Sequence, residues 1–303
     1  MTSNLAAVSY GVNVNPESLD EVRKALAAFG ATVWSESSTS STTQSGDARY
    51  EVHTISFSAE AGTAETLGTL RRLVSDAAPA GIDVAVVPAA LREAGRKLLI
   101  MDVDSTLIQQ EVIELLAAHA GKRDEVAAVT EAAMRGELDF AQSLHARVAV
   151  LAGLPAAVVD SVRDEVRLSL GAAELVAAFK AAGHVVAVVS GGFNQILGPI
   201  AGDLALDHWI ANELEIVDGA LTGKILGAVI DRAAKEKYLR EWSAAAGIPL
   251  EHTIAVGDGA NDLDMLGAAG IGVAFNAKPA VRAVADAAVN MPYLDAVRHI
   301  ANV

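Results

Sequence analysis

Lys97-Leu98-Leu99-Ile100-Met101-Asp102-Val103-Asp104-Ser105-Thr106 is a short apolar run that stops on two carboxylates one residue apart. A run this brief, continuous rather than alternating, fits a strand buried on both faces. Three more runs of the same kind follow at 184–189, 253–256 and 271–274, with helical patterns at 172–182 and 261–269 between them. Strands alternating with helices predict an α/β fold, a doubly wound parallel sheet covered on both sides. Such a sheet binds ligands beyond the carboxyl ends of its strands, so the residues just after each run carry the functional reading.

Those residues share a chemistry. The first run delivers Asp102 and Asp104, the second Ser190-Gly191-Gly192, and the third Gly257-Asp258-Gly259-Ala260-Asn261-Asp262. Two carboxylates brought together at a strand end separate in proton affinity, so one can act as base or nucleophile and the other as acid. Asp258, arriving from another strand, adds a hard oxygen ligand, and an all-oxygen site suits Mg²⁺. Ser190, the amides after it and a lysine could hold the oxygens of a phosphoryl group, with Lys224, Lys235 and Lys237 all within range. Taken singly, Asp-x-Asp is more often a turn or helix cap, and Ser-Gly-Gly or Gly-Asp-Gly a loop. Their common place after buried strands reverses that reading and points to phosphoryl transfer onto an aspartate.

Two rival phosphate motifs fail. Residues 219–224 are one residue short of a P-loop and are followed by Ile225 rather than Ser or Thr. Residues 257–262 begin like a dinucleotide fingerprint, but Asp262 replaces the third glycine and Asp258 would set a carboxylate beside a pyrophosphate.

Between the first and second runs lies a mostly helical insertion, about 107–169, too long for a simple crossover and expected to form a cap. A second insertion, 208–226, contains the hairpin-turn pair Asp218-Gly219. Before the sheet the grammar differs. Residues 5–12 suit a strand, and Pro16 opens a helix with Leu19, Val22, Leu26 and Phe29 on one face. Residues 31–34 begin a second strand, and the Ser/Thr-dominated 35–46 are expected to be a long flexible turn. A half-buried strand at 49–57, a helix at 64–77 and a strand at 82–87 complete a βαββαβ order, that of a ferredoxin-like sandwich. The expected domains are 1–88, a linker at 89–95, and 96–303 with the cap inside it.

Composition narrows the chemistry further. The chain has 303 residues, enough for about two domains, and no cysteine, which excludes disulfides, thiolate metal sites and thiol nucleophiles. A net charge of −15, shared as −5 before Gly95 and −10 after it, leaves no basic arm for nucleic acid. Residues 1–16 carry neither a charged leader nor a continuous apolar segment, and no apolar run approaches the ~18 residues of a membrane span. The expected setting is cytoplasmic, without membrane or nucleic-acid partners.

Residues 102–106, Ser190-Gly-Gly192, Lys235 and residues 257–262 resemble, in order and separation, the four motifs of the haloacid dehalogenase-type phosphatases. The resemblance covers roughly 96–303. In the cap, Glu111, Met134, Phe140 and Arg147 stand where the phosphoserine-cleaving branch of that family carries its substrate-recognition residues. The first 88 residues resemble an ACT-type regulatory domain, although residues 11–16 replace its usual ligand turn. The resemblance implies Asp102 as nucleophile, Asp104 as general acid and base, and Mg²⁺ on Asp102, the Asp104 carbonyl and Asp258. It selects Lys235, with Ser190 and Gly191, as the grip on the phosphoryl group. Asn261 is implied beside the substrate, orienting with Asp262 the metal's waters and the lysine. The implied substrate is O-phospho-L-serine, hydrolysed in the last step of serine biosynthesis, with Glu111 meeting its ammonium and Arg147 its carboxylate. Another small phosphomonoester such as phosphothreonine, or an alcohol acceptor in place of water, is the nearest alternative. A rival of another class is an amino-acid-binding regulatory protein with a vestigial catalytic half. A homodimer through the N-terminal domain is expected by analogy, and the histidines 119, 145 and 184 are read as surface or packing residues.

Overall fold

Four antiparallel strands and a seven-stranded sheet organise the chain, which we describe from a computed structural model over residues 1–42, 48–93, 95–134 and 139–303. The side chains of residues 16, 48 and 131–134 fall outside that description. The first sheet is built from β1 (Ser3–Gly11), β2 (Thr32–Thr42), β3 (Ala48–Ala59) and β4 (Ile82–Pro88) in the order β2-β3-β1-β4. Helices α1 (Asp20–Ala28) and α2 (Ala64–Asp76) cover one face, where Leu19, Val22, Leu26, Leu70 and Val74 meet Ile55 and Phe57. This is the order a split βαβ sandwich requires.

One expectation for this sheet is corrected. Residues 35–42 are not a turn: β2 runs through them, paired antiparallel to β3 from Thr32↔Ser58 to Thr42↔Ala48. Its residues are almost all exposed, so an edge strand with a wet face gave no apolar alternation to read. The remainder of the expected turn, 43–46, lies outside the described residues.

The helix α3 (Ala89–Arg92), a single turn, leads to β5 (Leu98–Met101). The cap follows as α4 (Val112–His119), α5 (Arg123–Met134), α6 (Phe140–Ala149) and α7 (Ala157–Glu165), and an isolated bridge between Ile108 and Leu168 closes its base. The chain then alternates α8 (Ala172–Ala181), β6 (Val185–Phe193), α9 (Asn194–Asp203), the hairpin β7 (His208–Val217) and β8 (Ala220–Leu226), and α10 (Arg232–Ala245). It finishes with β9 (Thr253–Gly257), α11 (Leu263–Ala268), β10 (Ile271–Phe275), α12 (Pro279–Arg282), β11 (Ala287–Val289) and α13 (Val297–Ala301). The second sheet has the order β11-β10-β9-β5-β6-β7-β8, parallel except for β8.

Two features place the site. After β5 the chain adds strands on one side as far as β8, then returns to add β9 on the other, so β5 and β9 flank the point where the strand order reverses. Asp102 and Asp258 leave these two neighbouring strands. The hairpin turn predicted at Asp218-Gly219 is present, with φ of 50° and 78°, and the hairpin docks on the cap through Gly153, Leu154 and Ala156.

Candidate active site

Asp102 ends β5 buried, 4% exposed, with its Oδ1 accepting from the amide of Val103 at 2.7 Å. The chain then folds into one tight turn, Val103–Leu107, in which Ser105 takes a left-handed φ of 55°. That turn brings Asp104 back toward the sheet edge. Its Oδ1 accepts from the amide of Val112 at the start of α4, and its Oδ2 from Ser190 Oγ at 3.4 Å. Asp104 therefore touches both the cap and the irregular stretch within β6.

β6 and β7 lose register between Val189 and Phe193, so Ser190, Gly191 and Gly192 bulge out of the pairing toward the same edge. Ser190 Oγ accepts from the Gly192 amide at 2.7 Å. Both glycines are closely approached: a Cβ on Gly192 would lie 2.6 Å from Asp104 Oδ2, and one on Gly191 would lie 2.9 Å from Phe140 Cζ, so either side chain would have to shift. Phe140, at the start of α6, thus lies directly over the loop, held there by a capping box between Asp139 and Gln142.

Of the three lysines in range, the fold brings one to the carboxylates. Asp231 caps α10 and sets Lys235 on its first turn, fully buried, with Nζ 2.7 Å from Asp102 Oδ1 and 2.6 Å from Asp262 Oδ1. Lys237 instead meets Glu241 on the outer face of α10, and Lys224 is exposed on β8. Asp262 is also fully buried. Its other oxygen accepts the amides of Asp258 and Gly259, so its place is behind the site, fixing both the lysine and the turn after β9. Asn261 sits half-buried on that turn without a side-chain hydrogen bond among the described residues. Thr106 Oγ1 reaches Asp258 Oδ1 at 3.4 Å.

The electrostatics follow from three acids facing one base. Asp102, Asp258 and Asp262 each bring a carboxylate oxygen within 4.8 Å of the others. Burial, then the neighbouring Asp262, raises Asp102 well above the usual carboxylate range despite Lys235. Burial, with Asp262 and Glu111, pushes Asp258 up to about 6. Burial and the Glu111 charge push Asp104 up to about 7, against the Val112 amide, Lys235 and Ser190. Burial works against a charge on Lys235 too, yet Asp102 and Asp262 outweigh it and hold the ammonium above its ordinary value. Excess negative charge in a dry pocket is relieved by protons or by a cation. The donor set, all hard carboxylate oxygens, fits a divalent cation of the Mg²⁺ kind.

The cap supplies the outer wall. Glu111, exposed at the start of α4, accepts from Ser105 Oγ at 2.7 Å. Arg147, on the last turn of α6, is half-buried and feels the charges of Glu111, Asp104 and Glu114, but forms no ion pair among the described residues. An acid, and a guanidinium without an ion pair among the described residues, thus lie near Asp104. Met134 ends α5, and its side chain lies outside the described residues. His119 pairs with Glu165 on the outer face of the cap.

One residue escaped the sequence reading. Asn212 on β7, 1% exposed, donates to the Gly191 carbonyl at 2.8 Å and accepts from the Ile230 amide at 2.9 Å. It ties the bulged loop to the chain entering α10, one residue before the Asp231 cap. The available signal was its position after the short run Ile210-Ala211, hidden because 208–226 read as an insertion.

The model of the haloacid dehalogenase-like hydrolase family matches residues 99–267. The phosphoserine phosphatase of Streptomyces coelicolor is 58% identical over 253 residues, which are 84% of this chain and 61% of that protein. The phosphoserine phosphatase SerB2 of Mycobacterium tuberculosis is 56% identical over 225 residues, 74% of this chain and 55% of the other. The chain therefore spans between half and two thirds of the length of these relatives. A crystal structure of a probable phosphoserine phosphatase from Vibrio cholerae aligns with a TM-score of 0.73 at 34% identity, covering 98% of this chain and 87% of that one.

Proposed function

The chain belongs to the haloacid dehalogenase-like hydrolases, and from that premise we propose that it hydrolyses O-phospho-L-serine to serine and phosphate, with the phosphoryl group carried in transit on Asp102. One observation carries the reading: the Asp102 carboxylate, buried at the strand-order switch, is held 2.7 Å from Lys235 and beside Asp258, with Asp104 on the tight turn that follows, bonded to Ser190. The substrate assignment rests on the cap, where Glu111 suits an ammonium and the unpaired Arg147 a carboxylate, and on what the closely similar relatives are named for.

The residues divide the reaction between them. An Asp102 oxygen forms a bond to phosphorus while the bond to the serine oxygen breaks, and that oxygen takes the proton held on Asp104. Water then attacks the phosphorus of the aspartyl phosphate, Asp104 takes the water's proton, and the bond to Asp102 breaks. Lys235, Ser190 and the Gly191 amide hold the phosphoryl oxygens in place as charge spreads over them. Asp102, the Asp104 carbonyl and Asp258 would hold Mg²⁺. When bound, the ion supplies positive charge that screens the approach of a phosphate dianion to a carboxylate. Asp262 and Asn261 keep the lysine and the turn after β9 in position.

Residues 1–88 form the ACT-like domain of this reading, 89–95 the linker and 96–303 the catalytic domain. We place the enzyme in the cytoplasm, as a homodimer joined through the N-terminal sheet. No described helix is long and apolar enough to cross a membrane.

Phosphate release with Mg²⁺ from L- and D-phosphoserine, phosphothreonine and an aryl phosphate tests the proposal. L-Phosphoserine should lead in kcat/KM, and Asp102→Asn should abolish turnover while leaving the fold intact. A phosphoryl group trapped on any other residue, or another ester leading the panel, would overturn it.

A further inference from the structure

At the opposite end of the strands from Asp102 lies a cavity of about 670 Å³, open to solvent and lined by Arg92, Arg96, Lys97, His184 and Asn302, with Glu93 among the lining residues. Lys97 immediately precedes β5 and His184 immediately precedes β6, so the cavity sits at the amino edge of the sheet. The active site, after the same strands, occupies the carboxyl edge.

The cations here have hydrogen bonds but no ion pair among the described residues. The Arg92 guanidinium donates to the carbonyls of His299 and Ile300 and to Asn302 Oδ1. Lys97, only 4% exposed, donates its Nζ to the Glu93 carbonyl at 2.9 Å. Every one of these acceptors is neutral. Neither they nor Arg96 forms an ion pair among the described residues, in a chain whose 38 acids outnumber its 23 bases. Buried or half-buried charge left without an ionic partner is costly. His184 belongs to the same group: its Nδ1 accepts from the Lys97 amide at 3.3 Å, which fixes Nε2 as the protonated, donating nitrogen. The charges also bear on one another, since burial and Arg92 lower Lys97, while burial, Lys97 and Arg96 lower His184.

We propose that this cavity is a second ligand site, built for a small multivalent oxyanion, a phosphate or a polycarboxylate, and separate from the phosphoryl site. Two guanidiniums, an ammonium and an imidazole line one cavity, where two or more negative charges on a small body would balance them. A long polyanion is disfavoured by the −15 of the chain as a whole. The ligand would join Arg92 on α3, which leaves the first sheet, to Lys97 and His184 at the starts of β5 and β6, and so pin the two parts of the chain together.

Nuclear magnetic resonance of the His184 imidazole reports on this site without passing through the active site. Orthophosphate and citrate are titrated separately into the full chain at constant ionic strength set with chloride. A saturable shift of the His184 resonance is expected with at least one of them, and the identity of the stronger decides between phosphate and carboxylate ligands. Arg96→Gln, an exposed and structurally neutral change, should weaken that binding roughly tenfold, as loss of one charge-assisted bond does. Arg96→Gln combined with Lys97→Gln should abolish it, with phosphoserine turnover by Arg96→Gln unchanged. A His184 resonance that neither anion moves, or that moves equally in Arg96→Gln, would overturn the proposal.

Discussion

At the scale of single residues, position along the chain says less than what each side chain is paired with. Lys224, Lys235 and Lys237 were equivalent cations by spacing, yet only Lys235 is wholly buried between two carboxylates. The difference arises from α10: Lys235 lies on its inward face, and Lys237, two residues on, points outward. Arg147 shows the converse, a guanidinium beside several acids but bonded to none of them, only to the Ser143 carbonyl. If it grips the substrate carboxylate, Arg147→Ala removes a charge-assisted bond of about 1.5–3 kcal/mol. The expected result is a fall in kcat/KM for phosphoserine of roughly 10- to 150-fold, with an aryl phosphate spared. Equal losses on both substrates would assign Arg147 a structural role instead.

Among the secondary-structure elements, the site depends on irregularity. A regular β6 would keep Ser190 and Gly191 in the ladder, and the bulge before Phe193 is what releases them. Asn212 holds the bulge, and its two bonds bridge β6 to the entry of α10. Asn212→Ala leaves the Gly191 carbonyl and the Ile230 amide buried without partners, at a cost of about 1–3 kcal/mol each. Asn212→Asp retains the acceptor for Ile230 but loses the donor to Gly191, so it isolates the loop contact. Both variants should lose at least tenfold in kcat, a figure on the order of one lost hydrogen bond in the transition state, and Asn212→Ala should also melt earlier. An Asn212→Asp enzyme with unchanged kcat would show that the loop holds its shape unaided. The same scale explains the misread β2. Edge strands that face water on both sides carry no hydrophobic period, and Ser and Thr there look like a loop until the partner strand is known.

Across the whole molecule, the two sheets share a core. The face of the first sheet away from its helices presents Val8, Tyr10, Tyr50, Val52 and Val87 to the same apolar cluster as the helices around the second sheet. Polar bonds lock the contact. Tyr10 donates to the Ala288 carbonyl at 2.6 Å, and Tyr50 and Arg49 donate to the buried Asp295, while Arg71 pairs with Asp286. Asp295 in turn packs against Gly171, next to the bridge between Leu170 and Tyr293 at the exit from the cap. His299 lies in this junction, edge-on to Tyr50, with a buried Nε2 that has no hydrogen-bond partner among the described residues. Burial, then Arg298 and Arg92, lowers it to about 4 from an ordinary 6.5. The unfolded chain therefore takes up a proton between pH 6.5 and about 4 that the folded chain refuses. Stability from this group is fully present above 6.5 and is lost as the pH falls toward about 4, by up to roughly 3 kcal/mol. Urea midpoints measured from pH 7 to 4.5 should fall more steeply for the wild type than for His299→Gln, since other titrating groups are common to both. Parallel curves would remove His299 from the account.

Much of this protein could be read from the chain alone, for a local reason. The buried strands, the βαββαβ order, the hairpin at Asp218-Gly219 and the sets of residues after each strand are written in short windows, where hydrophobic period and turn chemistry act over a few residues. The rule that ligands gather at carboxyl ends then assembled Asp102, Ser190 and Asp258 without coordinates. What the tertiary structure alone decided involves partners far apart in sequence. Pairing with β3 made residues 35–42 a strand, and the inward face of α10 chose Lys235. Asn212 became a clamp through a loop 21 residues before it and an amide 18 residues after it. The basic cavity drew residues 92, 93, 95–97, 182–184 and 302 to the opposite edge of the same sheet. Contacts of that kind depend on how strands are ordered and helices turned, and no local pattern encodes them.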